Sequence, residues 1–235
     1  MNRGMLWRRR WFVATHHLAR SPLLRRTASV TANNTGHFGR FGLARDGYEL
    51  DEARLKQRYQ DLQRQNHPDL VAAAAAASET APGVAVQAAE EESALINEGY
   101  AVLSDPLRRA EYLLALHCQP IEEDDGLSTS GGGTGADMGL LMEVMEWREE
   151  IEDVQSDVSG GDSGAEARLD ALVAQFRDRQ ADSIAGVADA WRRHGSAAGC
   201  EEAEAAALRA ARTATIRLKY VRRAVEELQG LLPAA

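Results

Sequence analysis

The chain has 235 residues, of which 44% are hydrophobic, 6% aromatic and 27% charged, and it carries a formal net charge of −9 at pH 7. This length and composition predict one or two modest domains built mainly of helices. The two cysteines, Cys118 and Cys200, are far apart and form no CxxC motif, which excludes a disulfide framework and a zinc finger and fits a reducing compartment. We expect both cysteines to be buried filler.

The charge is divided unevenly along the chain. Residues 1–45 contain nine arginines, no lysine and no acidic residue, whereas all 36 acidic residues follow them. Arginines alternate there with tryptophan, phenylalanine and leucine, and this acid-free amphipathic pattern is typical of mitochondrial and plastid transit peptides. We predict a transit peptide at residues 1–35 and the mitochondrial matrix as the destination. The alternative is a basic arm that binds nucleic acid.

The first predicted helix of the body runs from Asp51 to Asn66, with apolar residues at helical spacing. Proline disfavours the α conformation in the residue before it, so the Pro68 ring predicts that this helix ends near His67. The turn then presents His67 and Asp69 on either side of Pro68. Taken alone, this tripeptide is an acid and base pair, a docking signature or an ordinary helix exit.

A second helix is predicted from about Glu90 to Leu103, and a short third one begins at Pro106 with Ser104 and Asp105 as the capping residues. The apolar positions predicted for the second helix are Leu95, Ile96, Tyr100 and Leu103. Between the first two helices lies an alanine-rich stretch, residues 71–89, which Pro82 and Gly83 interrupt. Its low complexity favours a tolerated loop insertion, and we assign it no chemistry.

Residues 119–138 are acidic and then rich in glycine, serine and threonine, a composition that predicts a linker. Three helical segments follow, at about 139–158, 165–194 and 200–232. Their apolar stripes predict a three-helix bundle in residues 139–235.

The first bundle helix carries two rows of residues. Leu140, Val144, Trp147, Ile151 and Val154 form the expected buried stripe. A second row changes from apolar to acidic residues along the helix. This pattern has two interpretations: a surface that binds a basic partner, or a wide core face with a solvated acidic edge. The members of the second row are Leu141, Met142, Met145, Glu146, Glu149 and Asp153.

Two strings carry a family resemblance: QRYQDLQRQNHPDL, and INEGYAVLSDPLRRAEYLLALH after it. Together they resemble the J domain of the HscB and Jac-type co-chaperones of iron–sulfur cluster assembly, and the resemblance continues into the bundle. It implies an all-α fold: a J domain at residues 36–118 built on an antiparallel helical hairpin, and a C-terminal three-helix bundle.

The resemblance implies docking at the tripeptide. His67, Pro68 and Asp69 would contact a DnaK-type ATPase chaperone and trigger its ATP hydrolysis, and basic residues of the preceding helix, Lys56, Arg58 and Arg64, would complement an acidic chaperone surface. Many J domains place a lysine or arginine directly after the tripeptide. Here that residue is Leu70, so we expect weaker electrostatic steering.

The resemblance also implies that the bundle binds an IscU-type iron–sulfur scaffold protein. The second row of the first bundle helix would supply the contacts, joined by Tyr220 as the aromatic residue of the last helix. We expect Leu141, Met145 and Tyr220 to matter most for binding, and the acidic residues less.

An enzyme is the contrasting hypothesis, with His67 and Asp69 as general acid and base. The sequence offers them no nucleophile, no metal-ligand spacing and no glycine-rich phosphate loop, so we expect no catalytic residue, metal site or cofactor. We also expect no membrane or nucleic-acid partner. Two further alternatives are a helical adaptor that does not stimulate a chaperone and a general J protein with other clients.

Overall fold

The computed structural model describes residues 36–44, 47–77, 82–121 and 135–232, and these contain helices and no strand. The predicted transit peptide lies outside the described residues. The predicted all-α fold, a J-domain hairpin followed by a three-helix bundle, is confirmed. The described helices are α1 (His37–Arg40), α2 (Glu52–Gln65), α3 (Pro68–Ala77), α4 (Pro82–Ser104), α5 (Pro106–Leu116), α6 (Gly135–Gly160), α7 (Ala165–Ser196) and α8 (Glu201–Gly230).

The hairpin consists of α2 and α4. An Asp51 carboxylate oxygen accepts a hydrogen bond from the Arg54 backbone N–H at 3.0 Å and caps the start of α2. The helix ends at Gln65 with Asn66 as its C-cap. This agrees with the end near His67 that Pro68 predicts. Leu55 of α2 and Ile96 of α4 are buried together in the J-domain core.

The described parts of the alanine-rich stretch are helical, so the prediction of a loop insertion was wrong for residues 71–77 and 82–89. Residues 71–77 belong to α3, and α4 begins at Pro82 rather than near Glu90. Proline is well tolerated in the first turn of a helix, so Pro82 begins α4 instead of interrupting a helix, and alanine is the strongest helix former. Residues 78–81 lie outside the described part of the chain.

The short helix α5 begins as the sequence predicts. One Asp105 carboxylate oxygen accepts hydrogen bonds from the Leu107 N–H at 2.9 Å and the Arg108 N–H at 3.0 Å, with Pro106 in the first turn. Leu113 and Leu114 are fully buried. Leu95 of α4 differs from expectation, because it is exposed while Ile96 and Leu103 take the core-facing row.

Helices α6, α7 and α8 form the C-terminal bundle around Trp147, Phe176, Val221 and Leu228. Helix α6 begins at Gly135, four residues before the predicted segment, so the last part of the predicted linker is helical. Residues 122–134 of that linker lie outside the described residues.

The J domain and the bundle share a hydrophobic core. The cluster that contains Phe38 and Leu113 of the J domain extends to Val187 and Trp191 of α7 and to Leu218 of α8. Two ion pairs also join the parts: Asp105 to Arg222 at 2.6 Å, and Glu49 to Arg192 at 3.0 Å. The α5 helix is thus held directly against the bundle.

Both cysteines are exposed, so the prediction that they are buried filler was wrong. Each lies at the end of a helix, outside the apolar stripes. Cys118 follows the C-cap of α5 with a positive φ of 58°, and Cys200 is the N-cap of α8. Both helix ends lie at the surface. The prediction of burial rested only on the small number and wide spacing of the cysteines, which carry no information about exposure.

Candidate functional site

The His-Pro-Asp turn forms the start of α3. The His67 carbonyl accepts hydrogen bonds from the N–H groups of Leu70 at 3.0 Å and Val71 at 3.1 Å, which closes the first turn of the helix. The turn therefore joins α2 to α3, instead of lying in one long loop between α2 and α4.

The two titratable side chains of the turn face solvent. The side chain of His67 is 55% exposed and that of Asp69 is 89% exposed. The Asp69 N–H donates to Nδ1 of His67 at 3.3 Å, and the same Nδ1 lies 3.7 Å from an Asp69 carboxylate oxygen. With Nδ1 accepting this bond, Nε2–H is the donor that a neutral His67 ring offers to a partner. Two exposed groups without a third converging residue suit recognition better than acid–base catalysis.

The three predicted basic residues of α2 are exposed but do not form one stripe. At 100° per residue, Lys56 and Arg58 are separated by roughly 200° around the helix axis. Arg64 is 74% exposed and lies 3.4 Å from the Asp61 carboxylate, its neighbour one turn back. The basic surface therefore wraps around α2, on both sides of its buried face.

Arg54 is a basic residue that the sequence reasoning missed. It is exposed and precedes Arg58 by four residues, so the two guanidinium groups share one flank of α2. The i, i+4 spacing was available in the sequence as a signal. Counting Arg54, this flank carries two cations near one face of the J domain.

A buried arginine positions the segments that lead into the hairpin. Arg109 of α5 is 5% exposed, and it donates to the Leu103 carbonyl at 2.7 Å and to the Tyr48 carbonyl at 3.0 Å. Its guanidinium also lies 5.5 Å from the centroid of the Tyr48 ring. Burial lowers the pKa of Arg109 from its ordinary value, and burial raises the pKa of Tyr48 to about 12. This contact ties α5 to the end of α4 and to the residues before α2.

On α6, the second row forms a surface on the side away from the core. Met142 is 60% exposed, Met145 is 58% exposed and Leu141 is half-buried at the margin. The acidic members Glu146, Glu149 and Asp153 are exposed as well. The opposite side of α6 buries Leu140, Trp147 and Ile151, as its spacing predicts.

Met138 extends this surface and was missed from the sequence. It is 55% exposed and precedes Met142 by four residues, so both side chains lie on one face of α6. We call the set Met138, Met142, Met145, Glu146, Glu149 and Asp153 the α6 strip. The predicted linker boundary at residue 138 is what removed Met138 from consideration.

The carboxylates of the α6 strip differ from the other acids of the helix. Glu150 pairs with Arg179 of α7 at 3.3 Å, and Glu143 pairs with Arg217 of α8, so these two acids hold α6 to its neighbours. Glu146, Glu149 and Asp153 make no ion pair within the described residues. Their charge is therefore available to a partner.

Tyr220 is half-buried and packs against the bundle core that also contains Trp147 and Val221. The guanidinium of Arg223 lies 5.9 Å from its ring centroid. Tyr220, the predicted aromatic contact, is thus a partly exposed ring that packs against the bundle core.

The structure brings together two histidines that are far apart in the sequence. The rings of His117 in the α5 C-cap and His194 in α7 have centroids 4.7 Å apart, and each lies 5.4 Å from the Trp191 ring. His37 packs on Tyr112 instead, with ring centroids 4.7 Å apart, and burial lowers its pKa from 6.5. Among the described residues, no group of three histidine, cysteine, aspartate or glutamate side chains has the arrangement of a metal site.

None of the described helices is both long and apolar enough to cross a membrane. The chain is an all-α protein in which a J-type hairpin with an exposed His-Pro-Asp turn is packed against a three-helix bundle. That combination defines the structural class of the chain: an all-α protein with a J domain and a C-terminal helical bundle.

Comparisons with known proteins agree with this class. The family model for the HSCB C-terminal oligomerisation domain matches residues 136–229. A co-chaperone protein HscB homolog of Aeromonas salmonicida (strain A449) is 40% identical over 121 residues, which are 52% of this chain and 62% of that relative's length. The aligned part thus spans less than two thirds of the relative.

Solved structures show the same relationship. The chaperone HscB from Vibrio cholerae has a TM-score of 0.58 and 28% identity, covering 83% of this chain and 96% of that one. The human co-chaperone protein HscB shares the fold with a TM-score of 0.60 at 23% identity, covering 84% of this chain and 83% of the human chain. The chain is thus similar to HscB co-chaperones, and its residues 136–229 match the family model of their C-terminal domain.

Proposed function

We propose that this protein is a co-chaperone that binds an IscU-type iron–sulfur scaffold protein through its bundle and delivers it to a DnaK-type ATPase chaperone. The J domain stimulates ATP hydrolysis by that chaperone, which promotes cluster transfer. The cluster belongs to the client, and the co-chaperone has no catalytic residues or cofactor of its own. The proposed site of action is the mitochondrial matrix, which rests on the arginine-rich, acid-free residues 1–35.

One observation supports the proposal: two solvent-exposed surfaces, each with the chemistry of a docking site, lie on parts of the chain that share one hydrophobic core. The first is the His-Pro-Asp turn, with the side chains of His67 and Asp69 exposed. The second is the α6 strip, with its methionines exposed and its acids unpaired within the described residues. Two sites on one chain raise the effective concentration of the client at the chaperone.

The chemistry of each surface fits its proposed partner. The cations of α2, including Arg54 and Arg58, suit an acidic chaperone surface and mainly accelerate encounter. The α6 strip offers adaptable thioether side chains for apolar contact and carboxylates that favour a basic partner. Leu141 and Tyr220 lie at half-buried positions, where a partner can complete their burial.

The client side is tested by isothermal titration of the scaffold protein into variants of this chain. Leu141→Ala combined with Tyr220→Ala removes two anchoring side chains, and we expect affinity to fall by roughly 30-fold or more, since interface anchors each contribute about 1–2 kcal/mol or more. Stimulation of the chaperone ATPase by the J domain alone should remain.

Leu95→Ala is the matched control, because Leu95 is also a surface leucine but lies on α4. It should bind the scaffold like the unaltered chain. Equal affinity of the double variant and the control would contradict the assignment of the bundle as the scaffold-binding part.

A further inference from the structure

The three methionines of the described chain lie together on one helix face. The sequence has five methionines, and Met1 and Met5 fall outside the described residues. Met138, Met142 and Met145 follow an i, i+4, i+7 pattern, which places them within roughly 60° of one another around α6. They are 55%, 60% and 58% exposed, so each thioether is open to small solutes.

These methionines do not support the fold. The buried side of α6 is formed by Leu140, Trp147 and Ile151, roughly opposite the methionine face. The ion pairs that hold α6 to the bundle use Glu143 and Glu150, which lie outside the α6 strip. A chemical change at the three sulfur atoms therefore leaves the packing of the bundle intact and alters only its surface.

Thioethers of this kind have one characteristic reaction with peroxides. A sulfur lone pair attacks one oxygen of hydrogen peroxide, the O–O bond breaks and an S–O bond forms. Sulfur loses two electrons, the peroxide is reduced, and water leaves after a proton transfer. The product, methionine sulfoxide, is polar and chiral, and methionine sulfoxide reductases convert it back.

We propose that the α6 strip is a reversible oxidation site, at which peroxide converts Met138, Met142 and Met145 to sulfoxides and weakens binding of the scaffold protein. The identity of the partner rests on the proposed function, whereas the modification site rests on the exposure of the methionines. A sulfoxide needs hydrogen-bond partners that an apolar contact does not supply, so its burial against a partner is unfavourable. Oxidising conditions would then reduce delivery of the client while the J domain keeps its fold.

The experiment uses the full chain with Cys118→Ser and Cys200→Ser, because both thiols are exposed and also react with peroxide. The protein is treated with hydrogen peroxide, quenched and mapped by peptide mass spectrometry. We expect all three methionines to oxidise at close to the rate of free methionine, with circular dichroism unchanged. Oxidation more than about tenfold slower than that reference would show burial or protection and overturn the proposal.

Scaffold binding is then measured before oxidation, after oxidation, and after treatment with methionine sulfoxide reductases. We expect affinity to fall by about tenfold or more on oxidation and to recover on reduction, since even one poorly solvated polar group at an interface has this effect. The matched control carries Met138→Leu, Met142→Leu and Met145→Leu in the same background. Its affinity for the scaffold is compared with its own untreated value and should not change on peroxide treatment, because leucine has no sulfur atom to oxidise.

The outcomes separate the two proposals. Suppose that the untreated chain binds the scaffold but oxidation does not change its affinity, or that peroxide lowers the affinity of the leucine variant equally. In either case the oxidation site is overturned and the proposed function stands. If the untreated chain does not bind the scaffold, the proposed function and the effect on the client both fail. The peptide map decides in that case whether the methionines are a modification site at all.

Discussion

Arg109 shows how a single buried charge organises the J domain. Its guanidinium donates to the carbonyls of Leu103 and Tyr48, which belong to different segments of the chain. The atom Nη2 has no hydrogen-bond partner within the described residues. Removing the side chain would leave two carbonyl groups without donors in a dry environment.

We predict that Arg109→Ala lowers the free energy of unfolding by about 3 kcal/mol, because it removes hydrogen bonds to a charged group and leaves buried acceptors unpaired. Urea denaturation followed by circular dichroism measures this. Arg108→Ala is the control, since Arg108 is the exposed neighbour on the same helix, and it should cost less than about 0.5 kcal/mol. Equal effects of the two changes would show that Arg109 has no special structural role.

Two carboxylates near the junction of α5 and α8 have pKa values shifted in opposite directions. Burial alone would raise the pKa of Asp105, but hydrogen bonds from the Arg108 N–H and from Arg222 outweigh it and bring the pKa below the ordinary 3.8. Burial raises the pKa of Glu111 above the ordinary 4.5, and Lys219 only partly offsets this.

The two groups therefore make opposite contributions to stability as pH changes. The contribution of Asp105 is present above pH 3.8 and is lost as pH falls through its folded pKa, whereas that of Glu111 is present below pH 4.5 and is lost as pH rises through its folded pKa. We predict that Asp105→Asn destabilises the protein at about pH 7 and that Glu111→Gln stabilises it slightly there, with both effects shrinking at about pH 3. Urea unfolding at the two pH values tests this, and changes of the same sign at neutral pH would contradict it.

Among the elements, α3 shows where reasoning from sequence succeeded and where it stopped. The exit of α2 near His67 and the start of α5 at Pro106 followed from the stereochemistry of proline and from a capping aspartate, and both were found. The alanine-rich stretch was taken for a loop because low complexity was given more weight than helix propensity. The packing of α3 against α4 depends on tertiary contacts that no local pattern shows.

The candidate site was predictable to a similar degree. Helical periodicity placed Met142, Met145 and Glu149 on one face of α6, and the structure puts them at the surface. Met138 was lost because a composition-based linker boundary cut the helix short. The pairing of Glu143 and Glu150 with arginines of neighbouring helices depends on the bundle geometry, so the sequence could not separate these acids from those of the α6 strip.

Leu70 on the first turn of α3 gives a test of electrostatic steering. It is 59% exposed and follows the His-Pro-Asp turn directly, at the position where many J domains carry a cation. We predict that Leu70→Lys raises the association rate with the chaperone by roughly threefold at low ionic strength, and that the gain disappears at high salt. Stopped-flow binding at two salt concentrations measures it.

Val84→Lys is the control for that experiment, because Val84 is an equally apolar residue, 72% exposed, on α4. It adds the same charge to the J domain away from the turn and should change the rate less. An equal gain from both variants would indicate that net charge alone, rather than charge beside the turn, controls the encounter.

The whole molecule carries the His-Pro-Asp turn and the α6 strip on one packed body. The J-domain core continues into Trp191 and Leu218 of the bundle, and the pair between Asp105 and Arg222 bridges the two parts. Because a shared core couples the stability of both parts, the domains should not unfold independently.

We predict a single unfolding transition in calorimetry, with equal calorimetric and van't Hoff enthalpies. Arg222→Ala should lower the stability of this one transition by about 1 kcal/mol, since the pair is only partly exposed. Arg209→Ala, an exposed change on the same helix, is the control and should have little effect. Two separate transitions would contradict the shared core.

Single-turnover ATP hydrolysis by a DnaK-type chaperone tests the proposal that the exposed His-Pro-Asp turn triggers the ATPase of another protein. The unaltered chain should stimulate hydrolysis, and His67→Gln should reduce the rate to that of the chaperone alone. The variant should keep its fold within about 0.5 kcal/mol and still bind the scaffold protein, because the His67 side chain is exposed and is not part of the α6 strip. Full stimulation by a folded His67→Gln variant would contradict the account.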